Sequence, residues 1–150
     1  MLVVLHDETL DRTARGPAEN CTGRGVDTKT LQQIKTCDVG SWFNDAFPKR
    51  ARPEYAGLWI PTLAEVFDRY GKRINYYIET KSPETADRME ERLLALMDRY
   101  GLRNPAAVRW QVLIQSFSAA SLETIHRLDA SLPLIQLNSV GDTTRLSRRL

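Results

Sequence analysis

Two charged side chains stand at the end of an apolar stretch of the sequence. The segment "INYYIETK", residues 74–81, has the composition of a buried β-strand and ends on Glu79 and Lys81, with one residue between them. Residues two apart on an extended chain point in the same direction, so both side chains should leave the strand tip together. A carboxylate can ligate a divalent cation, and an ammonium group can neutralise a phosphate oxygen. The pair indicates a site for an anionic, metal-bound ligand; a buried ion pair without a ligand is the alternative.

A histidine follows another strand-like run. Residues 2–5, Leu-Val-Val-Leu, favour a β-strand, and His6 and Asp7 come directly after them. Imidazole is the side chain best suited to proton transfer near neutral pH. His6 is therefore a candidate general acid or base, and a purely structural hydrogen bond between His6 and Asp7 is the alternative.

Four strands are predicted along the chain, and helices separate the later ones. The strands are residues 2–5, 74–79, 112–117 and 132–137, each a run of β-favouring side chains. This alternation predicts a parallel α/β sheet that is buried on both faces and has right-handed crossovers. Strand ends in such sheets carry the functional site, and here they read "HD", "ETK" and "QSF".

Three helices are predicted between these strands. The first spans about residues 62–70 and begins with a T-x-x-E capping box. The second begins at Ser82 and ends before Gly101, and the third begins at the cap residue Ser118. Each helix has apolar residues at helical spacing, so each should pack one face onto the sheet.

A long loop-rich segment separates the first predicted strand from the first of these helices. Residues 8–56 are rich in Gly, Thr, Asp, Asn, Arg and Pro, with at most one short helix expected, starting near Thr30, where Gln33 completes a capping box. Stretches of this length are usually functional or form a small subdomain. The aromatic residues of "GSWFNDAF", residues 40–47, would then pack together inside this segment.

The composition excludes several classes of protein. A chain of 150 residues with 42% hydrophobic side chains fits one globular domain. The formal charge of +2 comes without a basic stripe, so a nucleic-acid partner is not expected. No apolar run is long enough for a transmembrane segment, and no secretion signal follows Met1. Cys21 and Cys37 lack zinc-site spacing; two unpaired thiols are expected, with one disulfide as the alternative.

Several segments of the sequence together resemble one known family. They are "LVVLHDETLDRT" (2–13), "GSWF" (40–43), "IPTLAEVF" (60–67), "YYIETKSP" (76–83) and "VLIQSFSAASLETIHRLD" (112–129). This set is similar to the glycerophosphodiester phosphodiesterases, in the branch of the secreted bacterial members. The combination of H-D-x-T-L-D-R-T with a later P-T-L-x-E-V and E-x-K is far more specific than any one element.

The resemblance implies a fold and a reaction. The fold is a (β/α)₈ TIM barrel, of which residues 1–150 would form a single partial domain with about strands three to six. Residues 8–56 would be a small insertion over the barrel mouth. The reaction is metal-dependent cleavage of glycerophosphodiesters to sn-glycerol 3-phosphate and an alcohol. Two histidines act as acid and base, and the glycerol hydroxyl can attack phosphorus first.

The resemblance also implies roles for individual residues. His6 would be the second catalytic histidine, Glu79 a metal ligand and Lys81 the cation that binds the phosphate. The cofactor would be a divalent metal, Ca²⁺ in the first place and Mg²⁺ as the alternative. The partner would be a small-molecule glycerophosphodiester, and the protein would act outside the cytoplasm.

Other family elements are not found in these residues. The H-R-G and E-x-D strands would precede residue 1, and the last two strands would follow this chain. We therefore expect the complete protein to be the hydrolase, and residues 1–150 alone to be inactive and poorly soluble or paired with a partner. Two alternatives are a glycoside hydrolase on a similar barrel, although Ile78 replaces the usual Asn before the glutamate, and a non-catalytic barrel fragment.

Overall fold

A computed structural model describes residues 1–103 and 110–139 of the chain. Within it the chain divides into two units, Met1–Arg69 and Tyr70–Leu150, and each unit is described by itself. None of the helices in these described ranges is long and apolar enough to cross a membrane.

The first unit consists of short helices around a small core. Its helices are α1 (Ala18–Cys21), α2 (Leu31–Ile34), α3 (Ser41–Ala46) and α4 (Leu63–Tyr70), with 3₁₀ turns at Val26–Thr28, Pro48–Arg50 and Pro53–Tyr55. The buried core side chains are Leu10, Ala14, Cys21, Ile34, Cys37 and Ile60. Residues 8–56 thus contribute most of a hydrophobic core, and they contain α1, α2 and α3 where the sequence predicted at most one helix. The prediction was wrong because very short helices carry little apolar periodicity and depend on the packing around them.

Two helices of the first unit begin at the capping boxes that the sequence predicts. At α2, Gln33 N–H donates to the Thr30 hydroxyl at 3.3 Å, and Thr30 N–H donates to the Gln33 side chain at 2.9 Å. At α4, Glu65 N–H donates to the Thr62 hydroxyl at 3.1 Å, and Thr62 N–H donates to the Glu65 carboxylate at 2.7 Å. Both predicted helix starts are therefore confirmed.

Residues 2–5 do not form the parallel strand that the sequence predicts. They make one antiparallel bridge, between Val3 and Thr62, and Val4 N–H donates to the Pro61 carbonyl at 2.9 Å. The side chains of Val3 and Leu5 pack against the core of the first unit, whereas Val4 is exposed. Burial of the side chains alternates from Val3 to Leu5 as it would in a strand. The segment that pairs with residues 2–5 in this unit is short and antiparallel.

Cys21 and Cys37 form a disulfide, so the expectation of two unpaired thiols is wrong. The two Cα atoms are 5.6 Å apart although the residues are separated by 16 positions. Helices α1 and α2 contact each other, and this contact brings the two sulfur atoms together inside the core. The sequence could not show this because the pairing depends on how two short helices pack.

Removing this disulfide should destabilise the first unit. A closed loop of this length restricts the unfolded chain by about 3 kcal/mol in the chain-entropy model. We expect the double variant Cys21→Ala, Cys37→Ala to lose about 2–4 kcal/mol of unfolding free energy, measured by urea denaturation. The reducing agent dithiothreitol should lower the stability of the wild type and leave the double variant unchanged. An equal effect of dithiothreitol on both proteins would contradict the prediction.

Asp38 holds together the loops that flank α3. Its Oδ1 accepts hydrogen bonds from Gly40 N–H at 2.8 Å and Ser41 N–H at 3.0 Å. Its Oδ2 accepts from the Ser41 hydroxyl at 2.5 Å and from Gly57 N–H at 3.0 Å. Burial by itself would raise the pKa of Asp38, but these four donors together hold the pKa well below its usual range. The carboxylate therefore stays ionised and keeps all four donors satisfied.

The second unit is a parallel sheet with helices on one face. Strands β1 (Tyr76–Glu79), β2 (Val112–Ser116) and β3 (Leu134–Gln136) lie in that order, and both neighbouring pairs are parallel. Helix α5 (Met89–Arg99) contacts α6 (Ala119–Leu128), and α6 contacts β2 and β3. Three of the four predicted strands are confirmed, with shorter ends, and all three belong to one parallel sheet.

The two faces of this sheet differ in burial. On β2, the side chains of Val112, Ile114 and Ser116 are buried, and the alternate residues are only partly buried. On the face opposite the helices, Tyr77 and Ile135 are exposed. The prediction of a sheet buried on both faces is therefore wrong for the described residues, because α6 packs on one face and no described element of this unit covers the other.

The helix predicted to begin at Ser82 is interrupted. The structure has a 3₁₀ turn at Pro83–Thr85 and then α5, which begins at Met89. Ser82 has φ of 44° and Arg88 has φ of 53°. These are left-handed backbone conformations, which no residue of a continuous right-handed helix adopts. The apolar spacing correctly located α5 but could not show this turn before it.

Candidate active site

The carboxyl ends of the three parallel strands form one edge of the sheet in the second unit. Glu79, the last residue of β1, has Gln115 of β2 as its partner in the register. Ser116 of β2 has Gln136 of β3 as its partner. The strands thus end in polar residues at the end of the sheet where parallel sheets usually carry their sites, with Glu79 and Gln115 on one face and Ser116 and Gln136 on the other.

The structure brings Glu79 and Lys81 together at this edge. The Lys81 Nζ atom lies 3.7 Å from the Glu79 Oε1 atom, and the two side chains are 33% and 23% exposed. That distance is short enough for an ion pair but too long for a hydrogen bond. The two side chains share a direction, as the two-residue spacing predicts, while the intervening Thr80 is buried.

One oxygen of Glu79 is buried and has no hydrogen-bond partner. This atom is Oε1, the same oxygen that faces Lys81. A buried carboxylate oxygen normally accepts hydrogen bonds, because leaving it unpaired costs free energy. Protein carboxylates with such an oxygen are suited to a hard divalent cation. The Glu79 carboxylate is therefore a suitable oxygen ligand for Ca²⁺ or Mg²⁺.

Glu79 can supply only part of a metal coordination sphere. Ca²⁺ takes about six to eight oxygen ligands, and Mg²⁺ takes about six. Among residues 1–103 and 110–139, no group of three or more His, Cys, Asp or Glu side chains is close enough to hold a metal ion. Glu79 therefore fits the role of one ligand, and the remaining ligands must be water, substrate or other groups.

His6, in the first unit, forms a chain of hydrogen bonds with two neighbours. Its Nδ1 atom lies 2.7 Å from Asp7 Oδ1. Arg12 donates to both oxygens of Asp7, through Nε at 2.6 Å and through Nη2 at 3.0 Å. The hydrogen bonds from Arg12 and His6 lower the pKa of Asp7 to about 2. Asp7 is therefore ionised throughout the pH range in which an imidazole exchanges protons.

This arrangement leaves one nitrogen of His6 available for proton transfer. Asp7 engages Nδ1, which places the exchangeable proton or lone pair on Nε2. The His6 side chain is 73% exposed, so the ring can reach a ligand. A purely structural role of His6 also predicts this hydrogen bond to Asp7. The bond orients the ring as a catalytic base requires.

His6 and the pair of Glu79 and Lys81 belong to separate units, each described by itself.

Sequence reasoning missed three residues next to the candidate side chains. Arg12 fixes Asp7, and its guanidinium lies 5.5 Å from the centre of the Trp42 ring. Gln115 lies beside Glu79 in the sheet register. Phe117 is half exposed, and its ring centre is 5.8 Å from the Lys81 ammonium. The "QSF" ending of the strand was the available signal for the last two.

Comparison with known proteins gives a consistent result. The sequence model of the glycerophosphoryl diester phosphodiesterase family matches residues 1–149. A glycerophosphodiester phosphodiesterase of Bacillus subtilis (strain 168) is 50% identical over 136 residues, which are 91% of this chain and 44% of that protein. The chain thus spans about half the length of the curated relatives it matches.

Solved structures agree with the sequence matches. The glycerophosphodiester phosphodiesterase of Agrobacterium tumefaciens C58 has a TM-score of 0.65 and 27% identity, over 88% of this chain and 46% of that one. A phosphodiesterase of Oleispira antarctica, solved with the product sn-glycerol-3-phosphate, has a TM-score of 0.62 and 23% identity, over 94% of this chain and 51% of that one. The predicted fold class, a partial (β/α)₈ barrel, is confirmed. Because the family model covers nearly every residue, this chain belongs to the glycerophosphoryl diester phosphodiesterase family.

Proposed function

We propose that the whole protein hydrolyses glycerophosphodiesters to sn-glycerol 3-phosphate and an alcohol, and that this chain supplies His6, Glu79 and Lys81 to the reaction. The observation that carries the proposal is the buried Oε1 of Glu79, which accepts no hydrogen bond and faces an ammonium group at a strand end. Family membership and the half-length match to the Bacillus subtilis relative support it. The Oleispira antarctica neighbour binds the product that this reaction would release.

In this proposal each side chain has one task. Glu79 would hold a divalent cation, with Ca²⁺ as the first choice and Mg²⁺ as the second, and its buried Oε1 is the oxygen without a hydrogen bond. A cation bound there would supply Lewis-acid polarisation of a phosphoryl oxygen. Lys81 neutralises a second phosphate oxygen, because its ammonium group is only loosely paired with Glu79. His6 transfers a proton through Nε2 while Asp7 holds the ring orientation.

A direct assay tests the proposed reaction. The whole protein is incubated with glycerophosphocholine or glycerophosphoglycerol, and glycerol 3-phosphate is detected with a coupled dehydrogenase. We expect release that depends on added Ca²⁺ or Mg²⁺ and stops with a chelator. No release from any glycerophosphodiester would contradict the proposal, and turnover of a nitrophenyl glycoside would favour the glycosidase alternative. The same assay on residues 1–150 tests the prediction that they are inactive alone.

We propose further that the protein acts outside the cytoplasm. The support is the buried disulfide between Cys21 and Cys37, since structural disulfides persist in oxidising compartments and are rare in the cytosol. Cells of the native host are treated with an alkylating reagent before lysis and then fractionated. We expect the protein outside the cytoplasmic fraction with neither cysteine alkylated. A cytoplasmic protein with both cysteines alkylated would overturn this assignment.

A further inference from the structure

Three buried hydroxyl side chains lie close to the segment that carries Glu79 and Lys81. They are Thr80, Ser116 and Ser121, which are 4%, 0% and 3% exposed. Thr80 stands between the two charged residues, Ser116 ends β2 and Ser121 lies in the first turn of α6. Because side chains alternate along a strand, Thr80 points away from the face that Glu79 and Lys81 occupy.

Every polar group of Thr80 has a hydrogen-bond partner, and two of the three partners are serine hydroxyls. The Ser116 hydroxyl donates to the Thr80 carbonyl at 2.9 Å, and the Thr80 and Ser121 hydroxyls are 3.0 Å apart. The Thr80 N–H donates to the Gln115 carbonyl at 2.9 Å. The residue between the two charged side chains is therefore tied to β2 and α6 by its N–H, its carbonyl and its hydroxyl.

The same hydroxyls are anchored at the start of α6. The Ser116 hydroxyl accepts from Ser118 N–H at 3.1 Å, and the Ser118 hydroxyl caps α6 by accepting from Ser121 N–H at 3.3 Å. The position of Thr80 is thus coupled to a helix terminus. A helix that packs on β2 and β3 is a rigid support compared with a loop.

The backbone turns sharply just after Lys81. Ser82 has φ of 44°, a left-handed conformation that residues other than glycine rarely adopt. Such conformations persist where the surrounding structure holds them, and they are common at functional sites. Lys81 therefore lies between a residue held by three hydrogen-bonded groups and a residue held in an unusual conformation.

Burial alone does not account for this hydroxyl cluster. Apolar side chains of similar size would fill the same volume without the cost of removing hydroxyl groups from water. A satisfied network of hydroxyls instead selects one arrangement of the backbone. Metal and phosphate ligands require such precision, because a productive geometry tolerates errors of only about 0.5 Å.

We propose that Thr80, Ser116 and Ser121 are positioning residues that hold the Glu79 carboxylate and the Lys81 ammonium group in the arrangement that a metal-bound phosphodiester requires. The inference rests on the proposed function, which assigns the two charged groups to metal and phosphate. The inference adds that hydroxyls on the opposite face of the strand fix the distance between the Glu79 carboxylate and the Lys81 ammonium group. The substrate never touches these hydroxyls.

Two substitutions at one position test the inference in the whole protein. Thr80→Val keeps the size of the side chain and removes the hydroxyl, whereas Thr80→Ser keeps the hydroxyl and removes a methyl group. The rise in melting temperature as Ca²⁺ is added gives the affinity for Ca²⁺ independently of activity. We expect Thr80→Val to weaken Ca²⁺ binding by about 10-fold to 100-fold, and Thr80→Ser to remain within about twofold of the wild type.

Further variants decide the outcome if Thr80→Val fails to fold. Ser121→Ala removes the same hydrogen bond from the side of α6 and should weaken Ca²⁺ binding to a similar degree. Because both changes break one interaction, the double variant should be no weaker than the worse single variant. Equal Ca²⁺ affinity in the wild type, Thr80→Val and Ser121→Ala would overturn the inference while the enzyme remains active. A wild type that neither binds Ca²⁺ nor releases glycerol 3-phosphate would instead overturn the proposed function.

Discussion

Glu79→Gln should lower kcat/KM for a glycerophosphodiester by about a thousandfold. The substitution keeps the shape of the side chain but removes the negative charge that a divalent cation requires. Polarisation of a phosphoryl oxygen by a bound metal contributes several kcal/mol to the transition state, and each 1.36 kcal/mol corresponds to about a tenfold change in rate. The steady-state assay for glycerol 3-phosphate, at saturating Ca²⁺, measures the loss.

A matched control separates loss of the proposed metal ligand from loss of a negative charge in general. Glu84 is exposed in the 3₁₀ turn just after the candidate site, so Glu84→Gln removes the same charge from the same unit. We expect Glu84→Gln to keep full activity and the full rise in melting temperature with Ca²⁺. Glu79→Gln should fold and should lose that rise. If Glu79→Gln kept both activity and the response to Ca²⁺, the role of Glu79 as a metal ligand would be wrong.

His6→Ala should lower kcat by about a hundredfold to ten-thousandfold, the usual contribution of a positioned acid or base. The imidazole is 73% exposed, so its removal creates no core cavity and should change the melting temperature little. Asp7 keeps its two hydrogen bonds from Arg12, so the local backbone retains its support. Steady-state assays of the whole protein should show the loss in kcat with a smaller change in KM.

Two measurements distinguish proton transfer from a structural role of His6. Added imidazole can enter the space left by an exposed side chain, so it should restore part of the activity of His6→Ala. His126, the other histidine of the chain, is exposed on α6, and His126→Ala should retain full activity. Wild-type activity in His6→Ala, or equal losses in both variants, would exclude His6 as the acid or base.

Local patterns in the sequence were enough to locate most elements. The capping boxes at Thr30 and Thr62 involve residues three positions apart, and both form as predicted. The strand tip with Glu79 and Lys81 follows from the two-residue repeat of an extended chain, and the structure places these side chains together. Such features depend on neighbours within about one helical turn, whose geometry is nearly independent of the rest of the fold.

Features that depend on distant partners were decided by the tertiary structure. The disulfide joins residues 16 positions apart, and the hydroxyls of Thr80 and Ser121 meet across 41 positions. The pairing of residues 2–5 with the segment around Thr62 likewise depends on which segment lies beside them. The sequence shows that these groups can bond, but only packing selects the partner.

The sequence by itself supplied the candidate side chains, the carboxylate of Glu79, the ammonium group of Lys81 and the imidazole of His6, and its resemblance to the phosphodiesterases predicted a role for each. It also determined the alternation of strands and helices in the second unit through the period of its apolar residues. The tertiary structure alone decided that Glu79 Oε1 is buried without a hydrogen bond and that three hydroxyls support the strand tip. Burial and hydrogen-bond satisfaction are properties of the folded environment, and no spacing along the chain specifies them.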